Sequence, residues 1–142
     1  MRYWSVYHFR KAHKRYNSYP APTECSFCED DFSDRIHEET EHAIIVANRV
    51  AYNLWELRSV VEHFMIVPKK HVHELQELAE DAQLDIMRLV AKYEAAGYNI
   101  YARAANNNQR SVHHQHTHLI KTANGRIRAA LFIKKPYFLA KF

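Results

Sequence analysis

Glycine is scarce in this chain. Its 142 residues include two, Gly97 and Gly125. A dinucleotide fingerprint needs three glycines and a P-loop needs two in one short loop. Both are excluded, so any bound phosphate is held another way. Long apolar runs are also missing. The longest, 43–47 and 129–133, hold about five residues, against the ~20 that a membrane helix requires. The opening residues MRYWSVYHFR contain no leader-like apolar stretch. The expectation is a cytoplasmic chain with no membrane partner. Cysteine is too rare for a disulfide scaffold. The two present form Cys25-Ser-Phe-Cys28, a spacing that suits a metal better than a structural disulfide.

What is present is ordinary in bulk. Hydrophobic residues make up 47% and charged residues 25%, typical of a globular chain. The length fits one domain, and such a chain buries roughly 68% of its unfolded surface. Twenty Lys and Arg against sixteen Asp and Glu give a net charge of +4. That favours an anionic partner without singling out nucleic acid. Histidine is the outlier at 11 residues, with His113, His114, His116 and His118 close together.

Residues 1–20 read as a basic and aromatic extension (Tyr3, Trp4, Tyr7, Phe9, Arg10, Lys11) with room for a short helix. Pro20-Ala-Pro22 ends it, and 21–142 form one domain. The acidic stretches 29–34 and 38–41 read as solvated loop. Strands are expected over 42–48 and 63–67, the second stopped by Pro68. Leu78, Ala82, Ile86, Leu89 and Tyr93 mark an amphipathic helix, with Gly97 at its C-terminal cap. Further strands are expected over 98–103, 111–121 and 127–133, the last two joined by an Asn124-Gly125 hairpin turn. The expected fold is α+β, an antiparallel five-stranded sheet with one main helix.

The chemistry centres on His114-Gln-His116-Thr-His118. On a strand, alternate side chains share a face, so three imidazoles would form a row with spacings of roughly 6.6–7 Å. Imidazole can attack phosphorus without first losing a proton, bind metal or move protons. His113 breaks the alternation and should face the other way. Cys25 and Cys28 need two more ligands to close a tetrahedral metal site. His63, His71, His73, His113 and His114 are the candidates, and a redox pair or two unrelated thiols are the alternatives.

This combination resembles the histidine triad (HIT) superfamily, in its zinc-containing C-x-x-C branch. The family signature is H-φ-H-φ-H-φ-φ, with φ apolar. Ser111-Val112 matches the Ser-Val that precedes it, and His63-Phe-Met-Ile-Val-Pro-Lys-Lys-His71 matches the family's H-x-x-x-x-P-K-x-H. The resemblance covers about residues 24–122. It implies a nucleotide hydrolase or nucleotidyl transferase that attacks the α-phosphate of a nucleotide conjugate. The nucleophile would be His116, with a covalent nucleotidyl-histidine intermediate. His118 and Ser111 would contact phosphate or leaving group. Asn48 is the nearest match to the family's ribose-binding residue. A structural Zn2+ would be held by Cys25, Cys28, His71 and His114, with His63 as reserve. Family members are commonly homodimers.

The chain departs from the family at four residues and in a longer insertion between Asn48 and His63. Gln115 and Thr117 occupy the two inner φ positions. Arg110 precedes Ser-Val where the best-known hydrolase branch has Gln, and Arg103 stands where that branch has Asn. Either arginine would suit a polyphosphate or other anionic leaving group. Two alternatives remain. One is a DNA-adenylate hydrolase, with nucleic acid as partner. The other is a non-catalytic, zinc-stabilised nucleotide-binding module.

Overall fold

A computed structural model of the protein describes residues 6–7, 24–108, 110–128, 130–133 and 138–141. The principal sheet contains β1 (Val6–Tyr7), β2 (Ile36–Glu39), β3 (Ala43–Ala47), β4 (Leu54–Trp55), β5 (Arg58–Pro68), β6 (Asn99–Tyr101) and β7 (Thr117–Arg126). Every pairing is antiparallel. Its main order is β2-β3-β5-β7-β6, the expected five strands. The short β4 continues along the β3 side of β5, and β1 pairs with β4. A separate two-stranded sheet joins β8 (Ala130–Ile133) to β9 (Phe138–Lys141). The helices are α1 (Ser26–Glu29) and α2 (Glu80–Ala95).

The central strands are apolar on both faces because both are covered. On one face, Ala43, Ile45, Ile66 and Leu119 pack with Leu78, Ala82, Ile86, Leu89 and Tyr93, the stripe read from the sequence. The helix then ends where expected. Gly97 takes φ +87, and Tyr98 N–H bonds to the Tyr93 carbonyl while Gly97 N–H bonds to that of Glu94, a Schellman cap. On the opposite face, Val46, Met65 and Val67 pack with Phe32, with Phe27 against them. The α1 segment is therefore the lid on that face. Strand alternation sends His63 and His118 to the α1 side, away from α2.

Several expectations are corrected. Glu38 and Glu39, read as the start of a solvated loop, lie in β2; this edge strand is held by its pairing with β3, and Lys92 and Tyr93 of α2 reach across to Glu38. The Asn124-Gly125 hairpin does not form. These residues stay extended in β7, which pairs with β5 as far as Arg58↔Arg126. The register shifts between Val60↔Thr122 and Arg58↔Arg126, which leaves Asn124-Gly125 in an irregularity of the ladder, and the pairing with β5 on both sides of it overrides the local turn signal. The expected 127–133 strand starts only at Ala130 and pairs with β9. The expected 111–121 strand starts at Thr117, and residues 113–116 run into it without a ladder. Of the 1–20 extension, Val6–Tyr7 is strand rather than helix, and its other residues lie outside those described. No described helix is long and apolar enough to cross a membrane.

The β4–β5 connection is a two-residue hairpin with φ 48 at Glu56 and 60 at Leu57. Such turns favour Asn-Gly, because a side chain in the left-handed region costs roughly 1–2 kcal/mol. Glu56→Asn with Leu57→Gly is expected to stabilise the chain by about 1 kcal/mol, measured by urea denaturation.

Candidate functional site

The site forms where β7 begins, beneath α1. Ligand atoms of Cys25, Cys28, His71 and His114 all lie within 4.8 Å of one another. Cys25 Sγ is 3.6 Å from His114 Nδ1, Cys28 Sγ is 3.5 Å from the same nitrogen, and Cys28 Sγ is 3.2 Å from His71 Nδ1. Tetrahedral zinc with thiolate and imidazole ligands gives S···N edges of about 3.5 Å. The donor set therefore fits a metal ion. The orientation of His114 supports this. Its Nε2–H donates to the Pro68 carbonyl at 2.9 Å, which leaves the Nδ1 lone pair facing the sulfurs, a common outer-shell arrangement for a metal-bound imidazole. Burial holds the His114 pKa below its ordinary value, keeping the ring neutral as a ligand must be. The local chain helps: the Cys25 carbonyl accepts from Cys28 and Glu29 N–H, turning the two cysteines toward each other.

His114 belongs to this cluster, and His116 and His118 follow it along the chain. Phe27 packs edge-on against both His114, at 5.8 Å, and His116, at 5.1 Å. The His116 and His118 rings are 4.9 Å apart, closer than the expected row because the chain before Thr117 is not a regular strand. The proton positions follow from hydrogen-bond logic. His116 Nδ1–H donates to the His114 carbonyl at 2.9 Å, so its Nε2 carries the lone pair. A second chain of bonds fixes His118. The Tyr52 amide can only donate, and it reaches His63 Nδ1 at 3.0 Å. The His63 proton is then on Nε2, which meets His118 Nδ1 at 2.9 Å. His118 in turn carries its proton on Nε2, 3.4 Å from the Tyr52 hydroxyl. Burial is the main reason that both titrate low: His116 falls below its ordinary value and His118 well below. Nearby charges, including Arg103, act the same way on both. Both rings are neutral at pH 7.

The remaining expected residues divide. Asn48 sits at the end of β3 with its amide nitrogen 3.2 Å from His63 Nε2 and its Oδ1 accepting from Val50 N–H. It adjoins the imidazole pair. Arg103 is half-buried beside Tyr52 and Tyr101. Ser111 is exposed, and no described hydrogen bond links it to the histidines. Arg110 is turned inward. It is 8% exposed, and its guanidinium donates to the carbonyls of Val112, His73 and His113. It pins the loop carrying the triad, where an anion-facing group was expected. Gln115 and Thr117 are buried, and the Gln115 amide donates to the Thr117 hydroxyl. His113 is exposed and packs 6.0 Å from His73. His63, the reserve ligand, is outside the metal cluster and belongs to His118.

Two neighbours of the triad carried no sequence signal. Tyr52 lies in the connection between β3 and β4, which has no periodicity. Phe27 lies between the cysteines and looked like spacer.

No family model and no curated relative matches the sequence. Solved structures do match. A HIT family hydrolase from Clostridium thermocellum aligns with 77% of this chain and 100% of its own, at 21% identity and a TM-score of 0.54. A histidine triad nucleotide-binding protein from Candida albicans covers 80% and 90%, at 20% identity and 0.51. A histidine triad protein from Clostridium difficile covers 78% and 99%, at 16% identity and 0.50. Sheet, helix and matched length together show that this chain has the α+β fold of the histidine triad proteins.

Proposed function

We propose that this protein is a nucleotide hydrolase or nucleotidyl transferase that works through His116. The observation that carries the reading is the bond from His116 Nδ1–H to the His114 carbonyl. It holds a neutral ring with its Nε2 lone pair available, which is what an in-line nucleophile needs. That lone pair attacks the α-phosphorus of a nucleotide conjugate. The P–N bond forms, the bond to the leaving group breaks, and its electron pair departs with that group. Water or a second acceptor then attacks the nucleotidyl-histidine. The P–N bond breaks and His116 recovers its lone pair, so one hard displacement becomes two easier ones.

His118 offers its Nε2–H to a phosphate oxygen. The 3.4 Å contact to Tyr52 is long for a hydrogen bond, and a charged oxygen is the stronger acceptor. Ser111 borders the leaving group from its exposed turn. Asn48, beside His63, is the residue assigned to the ribose. Cys25, Cys28, His71 and His114 would hold a structural Zn2+, which supplies no reactive position when four protein ligands close it. Its role is to tie α1, and with it Phe27, against His116. The same proposal includes a homodimer and a cytoplasmic setting. The latter draws support from two free thiols arranged for a metal.

The test is nucleotide release from four substrates: a nucleoside phosphoramidate, a diadenosine polyphosphate, a nucleotide sugar and adenylylated DNA. Release from at least one is expected, and its rank order names the leaving group. Preference for adenylylated DNA would identify the nucleic-acid branch. Binding of nucleotide with no release from any would sink the catalytic reading. A pH prediction accompanies it. His116 has its pKa lowered from 6.5, so the reactive neutral form persists as the pH falls through 6.5 and is lost only further down. The acid limb of kcat/KM is expected below pH 6.5; a limb centred above it contradicts the assignment.

A further inference from the structure

The four groups of the metal cluster differ in exposure. Cys25 is 8% exposed and His114 2%, whereas Cys28 and His71 face solvent. The cluster presents one sulfur outward and keeps the other within. The two lie side by side. A 3.0 Å bond from Cys28 N–H to the Cys25 carbonyl closes a turn. Such a turn keeps its outer Cα atoms within about 7 Å, the upper limit of what a disulfide spans. The two Sγ atoms are within 4.8 Å of each other. Phe27 stands between them in the chain and sets its ring edge-on to His114 and His116. The helix that carries all three residues has four residues and no side-chain cap. Whatever rearranges the cysteine pair therefore moves the ring beside His116.

Oxidation of cysteine follows thiolate character and access, and Cys28 combines both once it is a metal ligand. We propose that Cys28 is an oxidation site: hydrogen peroxide converts it to a sulfenic acid, Cys25 captures that sulfur as a disulfide, and the cluster gives up both its metal and its hold on Phe27. This rests on the structural Zn2+ proposed above. The Cys28 thiolate attacks one peroxide oxygen. An S–O bond forms, the O–O bond breaks, and its electron pair leaves on the second oxygen as hydroxide. The Cys25 thiolate then attacks the Cys28 sulfur. The S–S bond forms, the S–O bond breaks, and a second hydroxide leaves. Each hydroxide takes a proton from solvent. Two thiolates have lost two electrons, and one peroxide has become two waters. His71 and His114 then remain as ligands where a closed site needs four. Exchange with a thiol pool reverses the step, and transient disulfides of this kind are the ones that reducing compartments contain.

The test treats the zinc-loaded, unmodified chain with hydrogen peroxide beside a chromogenic zinc chelator, with chelator alone as control. Release of one zinc per chain is expected, in step with the loss of two thiols and of two hydrogens from the intact mass. In a parallel run with dimedone, which traps sulfenic acid, the adduct is expected on Cys28 at least about tenfold more than on Cys25. The ring protons of His116, which lie beside the Phe27 edge, are expected to shift in the nuclear magnetic resonance spectrum as zinc leaves. Dithiothreitol with fresh zinc should restore both the metal content and the original spectrum. Zinc retained under excess peroxide overturns the proposal. Equal adducts on the two cysteines overturn the assignment to Cys28, and a sulfinic acid in place of the disulfide overturns capture by Cys25. A chain that takes up no zinc refutes the metal reading, and the oxidation site falls with it. One that binds zinc and keeps it refutes the oxidation site alone. No readout requires turnover, so the outcome is independent of the role of His116.

Discussion

Replacing His116 with alanine is expected to lower turnover by roughly 10⁴-fold or more, the scale seen when a covalent nucleophile is removed. The fold and the metal should survive. His116 is half-buried, and its one described side-chain hydrogen bond goes to a backbone carbonyl, so truncation leaves no buried charge and costs about 1–2 kcal/mol. The cluster ligand His114 is oriented independently, through Pro68. Turnover, metal content and thermal midpoint measured on the same preparation separate these effects. A variant with near-normal turnover would remove His116 from the mechanism. One that loses its metal would show that cluster and nucleophile are not independent.

The second large effect is on stability. Cys25→Ser is expected to lose the metal and to destabilise the protein by at least ~3 kcal/mol, because binding energy at a closed zinc site is folding energy. The physical route is visible. Phe32 and Phe27 cover Val46, Met65 and Val67, and a four-residue α1 is far too short to hold itself together. Without the metal this lid loosens, and Phe27 leaves the edge of His116. Activity should therefore fall together with stability, and a chelator should reproduce both losses. His73→Ala serves as control. Its ring lies 5.4 Å from His71, yet His73 is outside the ligand cluster, so one zinc per chain should remain. Full metal content in Cys25→Ser would overturn the ligand set.

The parts legible in the sequence were those where a single local rule governs the outcome. The helix stripe from Leu78 to Tyr93 obeys one periodicity, and Gly97 is the residue that tolerates φ +87. The C-x-x-C pair left five histidines open as further ligands, the family resemblance narrowed the set to Cys25, Cys28, His71 and His114, and the fold places these four together. The parts that were hidden depend on long-range partners. Nothing local tells β2 that β3 will pair with it, so its run of polar residues looked like loop. Asn124-Gly125 is a strong turn signal in isolation, but the length of β5 decides otherwise. Arg110 reads as an anion-facing group until the carbonyls of residues 73, 112 and 113 are seen to converge on it. His63 matched a known pattern, but its role depends on Tyr52, whose amide sets the proton on His63 and thereby on His118.

The central claim is a covalent nucleotidyl-histidine, and the stereochemical course at the α-phosphorus tests it most directly. A substrate from the panel that releases nucleotide would be prepared with a chiral α-phosphorothioate and hydrolysed in isotopically labelled water. Two successive in-line displacements, the first by His116 and the second by water, predict net retention of configuration. Net inversion would mean that water attacks phosphorus directly, and the account of His116 as nucleophile would be wrong.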